Sequence, residues 1–220
     1  MSTTSTKEKI LDSAEYFFAE EGYAGASMRS IAQRADVNLA AANYHFGSKE
    51  ALLKAVFERR LTPLNRDRLD GLDALETDTP AGVPLELERL IAVFLAPALR
   101  MYRDDRAGGA RFMRLMAHMF HAPNEQVRGV FYRQFEEIKT RFLVAFARTC
   151  PELDREEVFW RFVFMIGSMA HTMTMMHDLP RLTAGLEAPI GIDEMERRLI
   201  PFAAAGWRAP AGTTASKVGR

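Results

Sequence analysis

Residues 27–49, SMRSIAQRADVNLAAANYHFGSK, decide the fold. Ser27 is a good helix N-cap, because its side-chain oxygen accepts from an amide that the first turn leaves unpaired. Met28, Ile31, Ala32 and Ala35 recur at helical spacing and give a short helix with one apolar face. Asp36-Val37-Asn38 interrupts that pattern, and Asn38 is suited to cap a second short helix, Leu39 to Phe46. Gly47 closes it, and Ser48 caps a further helix that begins Lys49-Glu50-Ala51. Two short helices joined by a tight turn predict a helix-turn-helix, whose second helix is shaped to enter a DNA major groove. A plain helical hairpin packed into a bundle has the same spacing, so composition must separate the two.

Composition favours DNA. Leu39-Ala40-Ala41-Ala42 is narrow enough to approach base edges, while Asn43, Tyr44, His45 and Lys49 are donors suited to phosphate oxygens. Between residues 27 and 60, six basic side chains stand against three acidic ones, a local excess of +3 in a chain of zero net charge. Local charge governs phosphate attraction more than the whole-chain sum does. The candidate DNA-contacting set is Ser27, Arg29, Asn38, Ala40, Ala41, Asn43, Tyr44, His45 and Lys49. Few of these read bases: Asn43 can, and Ala40 or Ala41 can meet a thymine methyl.

An amphipathic first helix, then ASMRSIAQRADV, then NYHFGSKEALLKAVF, resembles the DNA-binding domain of the TetR family of bacterial repressors, over about residues 7 to 60. The aromatic-His-aromatic-Gly-Ser-Lys run carries that resemblance. It implies an all-α homodimer with a variable ligand-binding domain after the motif. It also implies phosphate anchoring through Tyr44, His45 and Lys49.

The chain of 220 residues has ample length for a core, and 48% apolar with 26% charged residues suits a soluble protein. MSTTSTKEKILDSAEYFF has neither the apolar core nor the small-residue cleavage site of a signal peptide. No run of ~18 apolar residues predicts a membrane span. The single cysteine, Cys150, fits a reducing cytoplasm and reads as a buried filler rather than a nucleophile.

The expected organisation is a three-helix DNA-binding domain over 1–50, a helical ligand-binding and dimerisation domain over 51–208, and a flexible tail over 209–220. Lys7 to Glu21 is an amphipathic helix ended by Gly22. A longer helix from Lys49 towards Leu75 is expected to kink or break near Thr62, before Pro63. Glu76 to Val83 reads as a linker, and Pro84 as the first residue of a helix to Tyr102 that Pro97 should bend. Further helices are expected over Gly109–His121, Glu125–Arg148, Arg155–Met176 and Asp193–Trp207, with capping-box-like starts at Asp154 and Asp193. The stretches 103–108 and Ala122-Pro123-Asn124 read as loops. No strand-like alternation and no internal repeat is visible.

The helix from Arg155 is apolar nearly all round, so it must be covered on more than one face. With small residues in it and in the last helix, the expected dimer interface is Trp160, Phe164, Gly167, Ser168, His171, Ala203, Gly206 and Trp207. A large monomer core would use the same residues. Ten of the twelve methionines lie beyond residue 100. Met and Phe at helical spacing form ordinary core, yet flexible, polarizable methionine also suits a cavity for a long apolar chain. The candidate pocket is Phe94, Phe112, Met113, Met116, Phe120, Phe131, Phe135, Met165 and Met169, with Arg111 or Arg114 for a carboxylate or phosphate head group.

The runs VNLAAANYHFGSKEALLKAVF, FMRLMAHMF and VFWRFVFMIGSMAHTM are similar to TetR-family regulators that sense long-chain fatty acids and control fatty-acid degradation genes. That similarity implies a long acyl effector; a drug, an aromatic compound or another lipid stays open. His118 and His121, and His171 and His177, invite a metal reading. No HExxH, CxxC or carboxylate at ligand spacing accompanies them, so no metal and no cofactor is expected. No Gly-rich phosphate loop and no GxSxG occurs, and no enzyme activity is expected. A non-catalytic helical dimerisation protein leaves the motif from Ser27 to Lys49 unexplained. The expected partners are double-stranded DNA with a palindromic site, a small hydrophobic effector and a second copy of the chain.

Overall fold

Side-chain caps open most of the N-terminal helices in the computed structural model, which describes residues 5–103, 108–120, 125–176, 178, 181 and 191–211 without the side chains of Ala117 and Phe120. The helices are α1 (Thr6–Glu20), α2 (Gly22–Gly25), α3 (Met28–Arg34), α4 (Leu39–Phe46), α5 (Lys49–Asp78) and α6 (Leu87–Arg103), followed by α7 (Gly109–Phe120), α8 (Glu125–Arg133), α9 (Glu136–Thr149), α10 (Arg155–Met175) and α11 (Ile192–Arg208). The fold is all-α, with no strand among the described residues. Ser27 and Ser30 form a reciprocal capping box at α3. The Asn38 side chain accepts from Ala41 N at 2.7 Å, Ser48 from Ala51 N at 3.1 Å, and Asp154 from Glu157 N at 2.8 Å. Gly47 takes φ 72°, the left-handed region where a Cβ is costly. Asp36, at φ 55°, turns the chain between α3 and α4.

Several elements depart from expectation. α5 runs through Pro63 unbroken as a 30-residue helix. Pro63 is exposed, so its ring faces water rather than a packed neighbour. α6, which contains Pro97, starts at Leu87 rather than at Pro84. The expected helix Glu125–Arg148 divides at Gln134-Phe135, where tight bonds from Gln134 N to Phe131 O and from Phe135 N to Tyr132 O replace the helical pattern. Phe135 then packs on Phe131 at 5.2 Å between ring centroids. α11 begins at Ile192, so Asp193 lies in its first turn and is not its cap. His121, His177, Ala122-Pro123-Asn124 and the tail beyond residue 211 lie outside the described residues.

Two apolar cores hold these helices. The first joins α1, α3 and α4 to the first half of α5 through Ile10, Phe18, Ile31, Ala42, Leu53 and Phe57. It also takes in Phe112, Leu115 and Met119 of α7 and Val127, Val130 and Phe131 of α8. The expected boundary at residue 50 therefore cuts through this core. The second core runs from Leu64 through α6, α9, α10 and α11, with Phe94 edge-on to both Phe142 and Phe162 at 5.0 Å. Charge ties the first core to α5: Glu15, 1% exposed, takes Arg59 at 2.7 Å and both Nε and Nη2 of Arg60 at 2.8 and 2.6 Å. Arg161 does the equivalent for α11, donating to the carbonyls of Gly206 and Trp207 at its C-terminus while paired with Glu157.

Candidate functional site

α4 buries only Ala42, which seats it against the first core. Leu39, Ala40, Asn43 and Tyr44 face outward together, with Tyr44 87% exposed, and His45 beside them is exposed too. This is the face a groove-reading helix needs. Arg29, exposed in the first turn of α3, flanks it. Ser27 and Asn38 spend their side-chain oxygens on capping, so they shape the helix starts.

Lys49 departs from its expected role as a phosphate donor. Its Nζ donates to the carbonyls of Tyr23 and Ala26, both at 2.9 Å, and lies 4.4 Å from the Tyr23 ring centroid. Two of its three donors thus bind α5 to the end of the short turn Gly22–Gly25. Burial raises the Tyr23 hydroxyl above its ordinary pKa, with the Glu50 carboxylate adding to the effect.

A cavity of about 400 Å³ opens between the two cores. Leu61, Leu64 and Arg68 of α5 form one wall; Phe94, Ala98 and Met101 of α6 form another. Met113, Met116, Phe131, Tyr132, Phe135 and Ile138 close a third side, and α10 supplies Phe159, Phe162, Val163, Ile166, Met169 and Met173. Six expected residues therefore meet: Phe94, Met113, Met116, Phe131, Phe135 and Met169. The others go elsewhere. Phe112 turns into the first core against Phe57, at 6.2 Å, and Met165 is buried in the second without lining the cavity. Arg114 is spent on a surface pair with Glu20 at 2.5 Å, and Arg111 lies towards Tyr16, 5.6 Å from its ring. The Phe120 side chain lies outside the described residues.

The arginine that does reach the cavity is Arg68. It reads in sequence as one charge of the run NRDRLD, indistinguishable from a solvated face. Its signal is only that it falls in step with Leu61, Leu64, Leu72 and Leu75, the buried stripe of α5. Burial pushes its guanidinium down to about 9.

A third surface lies on α10 and α11. Trp160, Phe164, Gly167 and His171 form an exposed stripe, with Phe164 64% exposed and stacked on Trp160 at 5.8 Å. On α11, Phe202 is 67% exposed and Gly206 lies one turn on, while Ser168 is half-buried. Ala203 and Trp207 depart from expectation: they face the second core, where Trp207 stacks on Phe146 at 4.1 Å. In this turn of α11 the helical period points residue 202, not 203 or 207, outward.

The profile described as "Tetracyclin repressor-like, C-terminal domain" matches residues 92–206, more than half of the chain. The profile "Bacterial regulatory proteins, tetR family" matches residues 10–56. The chain belongs to the TetR family. It is accordingly a TetR-family DNA-binding transcriptional regulator. It is similar to the HTH-type transcriptional regulator BetI of Rhizobium meliloti (strain 1021), 26% identical over 153 residues, covering 69% of this chain and 70% of BetI. The probable HTH-type transcriptional regulator YttP of Bacillus subtilis (strain 168) is 46% identical over 50 residues, 23% of this chain and only 24% of YttP.

Solved structures share the fold over nearly the whole chain. The fatty acid degradation regulator FadR from Bacillus halodurans superposes with a TM-score of 0.66 at 14% identity, over 96% of this chain and 100% of that one. The SmeT–triclosan complex does so with a TM-score of 0.65 at 19% identity, over 95% and 97%. Among the described residues no group of His, Cys, Asp and Glu side chains is placed to hold a metal ion, and no helix is long and apolar enough to cross a membrane. His118 instead lies 3.1 Å from the carbonyl of Ala19.

Proposed function

We propose that the protein is a homodimeric repressor, released from a palindromic operator when a long-chain fatty acid or its acyl-CoA thioester fills the cavity. The observation that carries this reading is the cavity itself, whose volume lies in the range of small-molecule sites and whose wall is almost wholly carbon. Methionines at 101, 113, 116, 169 and 173 give that wall the adaptability a flexible chain requires. The exposed stripe of α10 with Phe202 of α11 is the face on which a second copy would sit. Two copies then present their α4 helices to successive major grooves about 34 Å apart, with Asn43 and the alanines at base edges and Tyr44 at the backbone. Release requires the effector to prefer the form that does not fit DNA, since equal affinity for both shifts nothing.

Footprinting the protein on its own promoter, with a fatty-acid and acyl-thioester length series, tests this. Each buried methylene contributes roughly 0.8 kcal/mol, so four more carbons strengthen binding by about 3 kcal/mol, near a hundred-fold, until the cavity is full. Met116→Trp, which fills the cavity, should blunt release and leave DNA affinity without effector unchanged. The rings of Phe94, Phe131, Tyr132, Phe135, Phe159 and Phe162 favour a second reading, a compact aromatic or drug-like effector. A response flat with chain length but strong to aromatic compounds selects that second reading.

A further inference from the structure

Three charged side chains are buried among the described residues: Glu15, Arg161 and Arg68. Glu15 is neutralised by Arg59 and Arg60, and Arg161 by Glu157. Arg68, only 3% exposed, has no carboxylate partner among the described residues. Its Nε donates to the Phe94 carbonyl at 2.8 Å and its Nη1 to Asn65 Oδ1 at a long 3.4 Å. The guanidinium lies 4.2 Å from the centroid of the Phe94 ring. Among the described residues Nη2 has no acceptor, while the side chain lines the apolar cavity. Burying a cation without a counter-ion is costly, and its desolvation is visible in a guanidinium pushed down to about 9, still protonated at neutral pH.

We propose that Arg68 is the anchor for a carboxylate, so that the cavity takes an amphiphile as its free acid, head group on Arg68 and apolar tail towards Met113, Met116 and Met169. This rests on the reading of the cavity as the effector site. A planar carboxylate takes two donors of one guanidinium side by side, and Nη2 with the weakly held Nη1 offers that fork. An alcohol, an ester or a thioester has the tail but not the charge. The anchor is also placed to act: Asn65, which Arg68 would release, donates to Gln134 O at 2.8 Å, at the break between α8 and α9.

The test uses the full-length protein with hexadecanoic acid, hexadecanol, methyl hexadecanoate and hexadecanoyl-CoA, read by thermal shift and by release from the operator. Wild type should bind the acid roughly ten- to a hundred-fold more tightly than the alcohol or ester, the range of a charge-assisted hydrogen bond. Arg68→Met should erase that preference, binding acid and alcohol alike, with a Tm without ligand equal to or above wild type. Arg68→Lys should keep part of the preference. Equal potency of acid, alcohol and ester on wild type overturns the anchor and leaves the cavity as effector site. A preference for the thioester over the acid, or an acid preference that survives in Arg68→Met, also overturns it. Binding of none of the four overturns the anchor and the acyl reading together. Should Arg68→Met fail to fold, the wild-type and Arg68→Lys comparisons still decide.

Discussion

Lys49 looks in sequence like a free donor beside the recognition helix, and in the structure it is a bracket between α5 and the end of α2. Lys49→Ala leaves two carbonyls without their partner, so the head should lose on the order of 1–3 kcal/mol of stability. The slope of log operator affinity against log salt should stay that of wild type, because no ion is lost from the DNA contact. A slope flatter by about one ion would return Lys49 to the phosphate backbone. The helix caps, by contrast, were legible, since Ser27, Asn38, Ser48 and Asp154 act on amides three residues away. Arg68 and Arg161 were not: whether an arginine faces water or a carbonyl depends on helices 26 and 46 residues distant.

Helix existence and period could be read from the sequence at the scale of elements, while helix ends set by packing could not. The break at Gln134-Phe135 carries neither glycine nor proline, and the ring of Phe131 on which Phe135 closes is shared with the first core. Gly71 shows the same dependence on a neighbour: a Cβ there would lie 2.9 Å from Val93 Cγ1 of α6. Val93 is β-branched and stiff at χ1, so it has little room to yield. Gly71→Ala should therefore cost about 1–3 kcal/mol by denaturant unfolding, and Val93→Ala in the same chain should recover most of it. Additive losses in the double variant would show that the crossing of α5 and α6 is looser than drawn.

For the whole molecule, the all-α architecture followed from periodicity, while the packing of α7 and α8 onto the first core from outside the motif could not be read from it. Six residues of the cavity wall were visible as a Met and Phe stripe; the α5 wall was not, since Leu61 and Leu64 serve helix, core and cavity at once. The proposed dimer face can be tested cleanly at Gly167, where an added Cβ meets nothing within 4 Å. Gly167→Leu should leave the folded subunit intact and move sedimentation towards monomer, with operator binding lost. A fully dimeric variant would place the interface elsewhere. α5 itself has a mechanical consequence. Glu15 clamps the first core to its first half, so core and recognition helix travel with it. From Gly71 to Lys49 the helix is a stiff arm of about 33 Å, and a tilt of roughly 5° at the crossing swings its far end by about 3 Å. In a symmetric pair the two arms swing apart by about 6 Å, beyond what hydrogen bonds to base edges tolerate. A change of angle small enough to leave every helix intact is then sufficient to take both reading heads out of register with the groove.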